Sequence, residues 1–293
     1  MSTIQESNYR RQPTVETALE WWKRCNRNQV VVEDAPPHDP SSAAWSFVRG
    51  NSGITPVDAA WKRNHNCLTL GSSPDVISLD GKVGKTWMLI SLAARFVVDT
   101  RASKYPSFST SQFGSQVDRL PFVVILDSTY DVTPAKVRQV VHSTLLRQPA
   151  LDGDEVEKEL KCCLDRIHVA SVTDDIMEWV PVLEEMRLEL KYNQRCANNE
   201  HPALVLWDGF LTEPASNEHG KMEVVRQLAR LLQDCSVALV ISGGAFGKTY
   251  NWGPQHKTHQ LHLKRYYGKD CLAEITGMRA PFHFSLSSGG ILS

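Results

Sequence analysis

Two kinds of hydrophobic pattern alternate along most of the chain. Short, nearly continuous apolar runs, typical of strands buried on both faces of a parallel sheet, lie at residues 76–79, 121–126, 167–170, 203–207 and 237–241. Segments in which apolar residues recur at helical spacing lie at residues 85–98, 134–145, 154–164, 176–190 and 218–233. Alternating strands and helices predict an α/β fold, in which helices cover both faces of a mostly parallel sheet.

The two ends of the chain depart from this alternation. Apolar residues at helical spacing after Thr14, which can cap a helix, predict a helix over residues 14–25. Residues 282–286 have the pattern of a C-terminal antiparallel hairpin. Residues 33–66 carry four prolines, which indicates an irregular loop or insertion. We therefore divide the chain into an N-terminal helix and tail, residues 1–30, a Pro-rich insertion or loop, residues 31–69, and an α/β core, residues 70–293.

The composition limits the kinds of partner. The chain has 293 residues with 32 basic and 33 acidic side chains, a formal net charge of −1, so any contact with nucleic acid or an anionic membrane must be local. No apolar run reaches the roughly 20 residues that span a bilayer, and residues 1–9 are polar, so we expect neither a membrane partner nor secretion. The seven cysteines are scattered without a Cys-x-x-Cys pair, which fits a reducing compartment and argues against a zinc site.

The sharpest chemical signal is the octapeptide LDGKVGKT, which ends at Thr86. Gly84, Lys85 and Thr86 stand between a predicted strand and a predicted helix, where backbone N–H groups and a lysine hold phosphate and a Thr hydroxyl holds magnesium. The full phosphate-loop motif requires glycine where Leu79 stands; if Gly81 is instead the first glycine, the loop is two residues short. The other interpretation is a plain strand-to-helix turn with an exposed lysine.

Two predicted strands end in an aspartate, Asp127 and Asp208. Ligands of open α/β sheets bind at the carboxyl ends of the strands, and a P-loop protein places its magnesium-organising carboxylate where Asp208 stands. Thr86 and Asp208 are therefore candidate magnesium ligands in a candidate site for ATP. The other candidate residues of that site are Gly81, Gly84 and Lys85. The alternative interpretation of each aspartate is a polar residue at the rim of the sheet.

The order of these segments resembles the RecA-like recombinase family. After its phosphate loop, that family has a strand ending in an aspartate, which matches Asp127, and then a helix that starts at a proline, which matches Pro134. The strand ending at Asp208 resembles the family's Walker B strand. The closing Gly-Gly-Ile at residues 289–291 resembles the family's terminus.

Within that family the chain most resembles the branch of eukaryotic recombinase paralogues typified by X-ray repair cross-complementing protein 2. The residues that carry this resemblance are TALE at 17–20, VISLDG at 76–81, KTWML at 85–89 and Tyr130. The resemblance covers residues 14–26 and 70–293, with the Pro-rich segment as an insertion between them.

The resemblance implies a RecA-like P-loop core and a nuclear subunit that assists homologous recombination DNA repair. Other recombinase paralogues are its implied partners, and DNA is contacted directly or through the complex. Thr129 replaces the family's catalytic glutamate, Gly243 and Gly244 replace its γ-phosphate-sensing Asn-Gln pair, and Leu79 replaces a loop glycine. These departures imply weak binding of ATP with Mg²⁺, little hydrolysis and no confident catalytic residue. The alternatives are an active DNA-stimulated ATPase of the same fold and an unrelated P-loop kinase or GTPase.

Residues 246–269 form a basic segment with interleaved aromatic residues and no acid. The segment stands where the family carries its second DNA-facing loop. Lysine and arginine contact phosphates while aromatic rings stack on bases, so the composition suits single-stranded DNA. The candidate DNA-binding residues are Lys257, Lys264, Arg265 and Tyr266. The alternatives are a solvated basic loop and a surface for a partner protein.

Overall fold

The structure is a computed structural model, and it describes fourteen stretches of the chain. They comprise residues 14–17, 76–81, 83–99, 123–148, 153–171, 175–196, 203–210, 218–235, 237–243, 252, 258–267, 270–275, 282–287 and 290–292. Within these stretches, no helix combines the length and the apolar character needed to cross a membrane.

Strands and helices alternate through the core as their hydrophobic patterns predict. The strands are β1 Thr14–Thr17, β2 Val76–Gly81, β3 Val123–Asp127, β4 Ile167–Ser171, β5 Ala203–Asp208, β6 Val237–Ser242, β7 Thr258–Tyr267, β8 Asp270–Ile275, β9 Phe282–Ser287 and β10 Gly290–Leu292. The helices are α1 Lys85–Asp99, α2 Pro134–Leu146, α3 Gly153–Leu164, α4 Trp179–Cys196 and α5 Glu218–Asp234, with a 3₁₀ turn at Ile176–Glu178 before α4.

The described strands form a single sheet in the order β1-β4-β3-β5-β6-β2-β7-β8-β9-β10. The six central strands, β4-β3-β5-β6-β2-β7 in their order across the sheet, run parallel to one another. The pairs β1–β4, β7–β8, β8–β9 and β9–β10 are antiparallel. The predicted α/β fold with a mostly parallel sheet is therefore confirmed.

Helices lie on both faces of this sheet, as predicted. Val123 and Ile125 of β3 belong to the core cluster that contains α1, α2 and α3. Val124 and Leu126 belong to the cluster that contains α4 and α5. Successive side chains of a strand point to opposite faces, so a continuous apolar run is what a strand between two helical layers requires.

The prediction of a helix that begins at Thr14 is wrong for its first four residues. Thr14–Thr17 is a strand that pairs antiparallel with β4, from Thr14 opposite Ser171 to Thr17 opposite His168. Three of its four residues are β-branched, which favours extended backbone, and β4 offers the hydrogen-bonding groups of a sheet edge. The rest of the predicted helix, residues 18–25, and the Pro-rich segment lie outside the described residues.

The basic segment predicted as a loop is also corrected, because its second half is strand β7. This strand pairs parallel with β2 and antiparallel with β8. Leu261 and Leu263 are buried in the core while His262 between them is partly exposed, which is the alternation of a strand with one covered face. Lys264 and Arg265, whose charges suggested a loop, come directly after these residues and make the alternation hard to recognise in the sequence.

Candidate functional site

The turn between β2 and α1 begins at Gly81. Leu79, where the full motif requires glycine, is fully buried inside the strand. Gly81 has a φ of +112°, and a Cβ atom on it would lie 1.9 Å from the carbonyl oxygen of Leu263 in β7. Only glycine fits this close backbone approach. The geometry therefore agrees with the shorter version of the motif, in which Gly81 is the first glycine.

The helix after this turn starts at the second glycine. Gly84 has a φ of +77°, and its carbonyl oxygen accepts the N–H of Met88 at 2.8 Å, which begins the hydrogen-bonded turns of α1. Lys85 and Thr86 are the first two residues of this helix, whose first turn carries no acidic residue. The backbone N–H groups of a first helical turn have no partner within the helix, so this end of α1 suits an anion.

The two candidate magnesium ligands are in contact. The hydroxyl of Thr86 donates to Oδ2 of Asp208 at 2.5 Å, although the two residues are 122 positions apart. Asp208 is 2% exposed, and its Oδ1 accepts a hydrogen bond from the hydroxyl of Ser242 in β6. Ser242 in turn accepts the N–H of Gly209 at 3.2 Å. Ser242 was not predicted, because nothing in the sequence alone indicates that β6 lies between β2 and β5.

Asp127, the other strand-terminal aspartate, holds its own loop together. Its Oδ1 accepts the N–H of Thr129 at 3.0 Å and the Thr129 hydroxyl at 3.1 Å, and its Oδ2 accepts the N–H of Val132 at 3.1 Å. Burial raises the pKa of Asp127 above its ordinary value, these hydrogen bonds act in the opposite direction, and the charge of Asp208 adds a small increase. Between the two anchored N–H groups, Tyr130 adopts a φ of +58°.

The structure describes two positions, Thr129 and Gly243, that match catalytic positions of the RecA-like family, which the sequence resembles. Thr129 is exposed, and its hydroxyl donates to Asp127 and accepts the N–H of Asp131 at 3.3 Å. A neutral hydroxyl cannot serve as the base that activates water. Gly243, which has no side chain to sense a phosphate, donates its N–H to the carbonyl oxygen of Leu79 at 3.4 Å. Gly244 lies outside the described residues.

A cavity of about 420 Å³ joins these parts, a size common among small-ligand sites. It lies at the carboxyl ends of β2, β3, β5 and β6, and its wall includes four of the five predicted nucleotide-site residues, all except Gly81. The lining residues are Val83, Gly84, Lys85, Thr86, Trp87, Thr129, Asp131, Lys136, Asp208, Gly209, Ser242 and Gly243. Sequence reasoning missed Trp87, Asp131 and Lys136. The available signal for Lys136 was its place just after Pro134, which starts a helix at this same edge of the sheet.

The residues present fit the outer part of a magnesium-bound nucleotide. A hydroxyl and a carboxylate form the hard-oxygen pair that magnesium prefers, and Lys85 supplies a positive charge at the same wall. The turn that would wrap the inner phosphates is two residues shorter than the full motif, since two residues instead of four separate Gly81 from Gly84. Within the described stretches, no group of three or more His, Cys, Asp or Glu residues could hold a metal ion by itself.

A half-exposed hydrogen-bonded pair of side chains, Asp80 and His262, flanks the turn. Oδ1 of Asp80 accepts the N–H of Gly81 at 2.6 Å, and its Oδ2 lies 3.0 Å from Nδ1 of His262 in β7. This pair ties the first residue of the turn to the neighbouring strand. It therefore helps to fix where the turn leaves the sheet.

The predicted DNA-binding residues are only partly described. Lys264 and Arg265 are exposed on β7. Leu263 pairs with Gly81, so these two residues follow at the sheet edge that carries the turn. A register irregularity between Arg265 and Tyr267 interrupts the pairing with β8, and such irregularities change which way strand residues face. Tyr266 lies within β7, and Lys257 lies outside the described residues.

No protein-family model and no curated protein matches the sequence. Among solved structures, the chain is similar to a KaiC-like protein from the hyperthermophilic archaeon Pyrococcus horikoshii OT3, with 14% identity and a TM-score of 0.43. The alignment covers 88% of this chain and 99% of that one.

Proposed function

We propose that this chain is a RecA-like recombinase-paralogue subunit that binds magnesium-ATP weakly, hydrolyses it little and assists homologous recombination repair in the nucleus. The observation that carries the nucleotide part is the contact between Thr86 and Asp208 in the wall of a cavity that also contains Lys85. The order of sequence segments, which resembles the recombinase family, supports the repair part.

Each residue of the site has a distinct task. Lys85 neutralises charge on the outer phosphates, and the first turn of α1 offers its N–H groups to them. Thr86 and Asp208 supply the oxygen atoms for magnesium, which when bound neutralises phosphate charge and orients the phosphates. Ser242 donates to the other carboxylate oxygen, which keeps Asp208 turned toward Thr86.

Slow hydrolysis follows from the position of Thr129. The group that should activate water is a hydroxyl already engaged with Asp127 and Asp131. Loss of a general base typically lowers a rate by a factor of about 10² to 10⁴. Nucleotide bound at such a site acts as a structural ligand that stabilises the folded state through mass action.

The partners of the proposed subunit are other recombinase paralogues, and DNA is contacted directly or through them. Lys264 and Arg265 support a DNA contact, because they are exposed basic residues at the sheet edge that carries the nucleotide cavity. Affinity purification from the native cells tests the assignment. Recovery of other recombinase-like chains is expected, and their absence from a soluble, folded sample would contradict it.

The nucleotide site is tested by titrating the purified chain with magnesium-ATP. Lys85→Gln removes the phosphate-binding charge, and Lys161→Gln removes an exposed lysine of α3 that does not line the cavity. We expect saturable binding by the native chain and the Lys161 variant, and loss of binding in the Lys85 variant. Equal binding by all three proteins would contradict the site. In repair-deficient cells, Lys85→Gln should still restore resistance to crosslinking damage if repair needs neither bound nucleotide nor its hydrolysis.

One observation favours a second function, an active DNA-stimulated ATPase of the same fold. Asp131 lines the cavity two residues after Thr129, so this wall does contain a residue with a carboxylate. Phosphate release stimulated by single-stranded DNA and abolished by Asp131→Asn would select this alternative. Turnover at the background rate, with nucleotide bound, would support the structural role.

A further inference from the structure

Lys136 of α2 lies in the wall of the cavity, although it is about 50 residues further along the chain than the phosphate turn. It lines the same space as Lys85 and Thr86. Its Nζ atom donates to the carbonyl oxygen of Asp131 at 2.7 Å and lies 5.9 Å from the ring centroid of Trp87. Trp87 directly follows Thr86 in the first turn of α1. The ammonium of Lys136 therefore lies near the Trp87 ring, in the wall of the cavity that Lys85 and Thr86 also line.

Within the part of the chain that the structure describes, the two partners of the Lys136 ammonium are neutral groups. An ammonium carries three N–H donors, and the bond to Asp131 uses one of them. A carbonyl oxygen and an aromatic face orient a cation without cancelling its charge. The Lys136 ammonium therefore keeps its positive charge at the wall of the cavity, where the Asp131 carbonyl oxygen and the Trp87 ring orient it.

The start of α2 is an unfavourable place for a lysine on its own. Thr133 caps the helix by accepting the N–H of Lys136, so Lys136 lies in the first turn, which contains no acidic residue. The positive end of the helix dipole repels a cation there. By contrast, the first turn of α3 contains Asp154 and Glu155. A residue that lowers local stability indicates a function when a ligand bound beside it would compensate for that cost.

We propose that Lys136 is a second phosphate-binding residue, which together with Lys85 recognises the outer phosphates of the bound nucleotide. This inference rests on the nucleotide site proposed above. A phosphate between the two lysines would offset the repulsion at the start of α2 and accept hydrogen bonds from the ammonium. It would also supply part of the phosphate contact that the shortened turn does not make.

The test compares Lys136→Gln and Lys136→Arg with the native chain, Lys85→Gln and the control Lys161→Gln. Affinities for magnesium-ATP, ADP and AMP are measured by calorimetry, with inorganic tripolyphosphate as a competitor that lacks a base. Loss of one charge-assisted contact should weaken ATP binding about ten- to a hundredfold. The loss of affinity should be smaller for ADP and absent for AMP. The affinity for tripolyphosphate should fall by the same factor as the affinity for ATP.

The outcomes separate this inference from the function on which it rests. If Lys85→Gln weakens binding and Lys136→Gln does not, the role of Lys136 is overturned while the nucleotide site stands. If the native chain binds neither nucleotide nor tripolyphosphate, both proposals fall. Melting temperatures of all variants identify misfolding. Should Lys136→Gln fail to fold, a folded Lys136→Arg variant that loses ATP would overturn the inference, because arginine retains the charge.

Discussion

Asp127 and Asp208 pair with each other at the ends of adjacent strands, close similar apolar runs, and are both buried. Their partners differ in kind. Among the described residues, Asp127 accepts hydrogen bonds only from residues 129 and 132 of its own loop. Asp208 binds hydroxyl groups that come from two other segments of the chain, Thr86 and Ser242. Identical sequence signals thus produce a carboxylate that organises backbone and a carboxylate that organises a cavity.

The difference arises from the path of the chain immediately after each strand. After Asp127 the chain turns sharply and brings two backbone N–H groups and the Thr129 hydroxyl back to the carboxylate, which engages three of its roughly four acceptor sites locally. After Asp208 the chain turns at Gly209, which has a φ of +76° and donates its N–H to Ser242 rather than to the carboxylate. The carboxylate therefore meets side chains from β6 and from α1 instead. A strand-terminal aspartate is therefore a ligand candidate only when its own loop leaves its oxygen atoms accessible.

The largest expected effect is on stability and belongs to Asp127. Asp127→Ala leaves the buried N–H of Val132 and that of Thr129 without their acceptor, so we expect the free energy of unfolding to fall by about 3 kcal/mol. Urea denaturation measures the change. The matched control is Asp208→Ala, whose hydroxyl partners can rotate toward other acceptors and whose loss should cost clearly less. Equal losses for the two variants would remove the distinction between them.

The second effect is on binding and belongs to Asp208. Asp208→Asn keeps the size of the side chain but removes the charge that favours magnesium. We expect magnesium-ATP affinity to fall about tenfold or more, with little change when ATP is titrated in EDTA. Asp127→Asn is the control, and its affinity should stay near that of the native chain. A larger loss of affinity in the Asp127 variant would reverse the assignment of roles.

The third effect is a pH dependence of stability that Asp127 should produce. Its pKa is raised above the ordinary 3.8 in the folded protein, so the folded state favours the protonated carboxyl. The associated stability is present below that ordinary pKa and is lost as the pH rises through the raised value. On acidification from neutral pH, the native chain should therefore gain stability relative to Asp127→Asn. A constant difference between their urea midpoints from pH 7 down to about pH 4 would contradict the shift.

Local hydrophobic patterns were sufficient to predict the central sheet and its helices. Strands β3 and β5 need only continuous apolar residues, and helix α5 needs only a periodic apolar face. The patterns failed for β1, whose four residues form a strand through pairing with β4. They failed likewise for Ser242, one of the two side-chain partners of Asp208. Ser242 approaches it because of the strand order, which no short segment of sequence encodes.

The smallest expected effect tests how firmly Asp127 fixes its loop. Tyr130 lies between the two anchored N–H groups with a φ of +58°, a conformation that costs an L-residue about 1 kcal/mol. Tyr130→Gly should recover part of that cost, and we expect a gain of roughly 0.5 kcal/mol after the entropy of glycine is subtracted.

In an Asp127→Ala background the same substitution should bring no gain, because the loop is then free to release Tyr130 from the left-handed region. Urea denaturation of the native chain, the two single variants and the double variant measures the coupling. Tyr130→Asn, which tolerates the same φ, is the control for loss of the ring. If Tyr130→Gly stabilises both backgrounds equally, the backbone conformation at residue 130 does not depend on the carboxylate. The strained turn would then be a property of residues 128–132 alone, and Asp127 would fill its acceptor sites without shaping the loop.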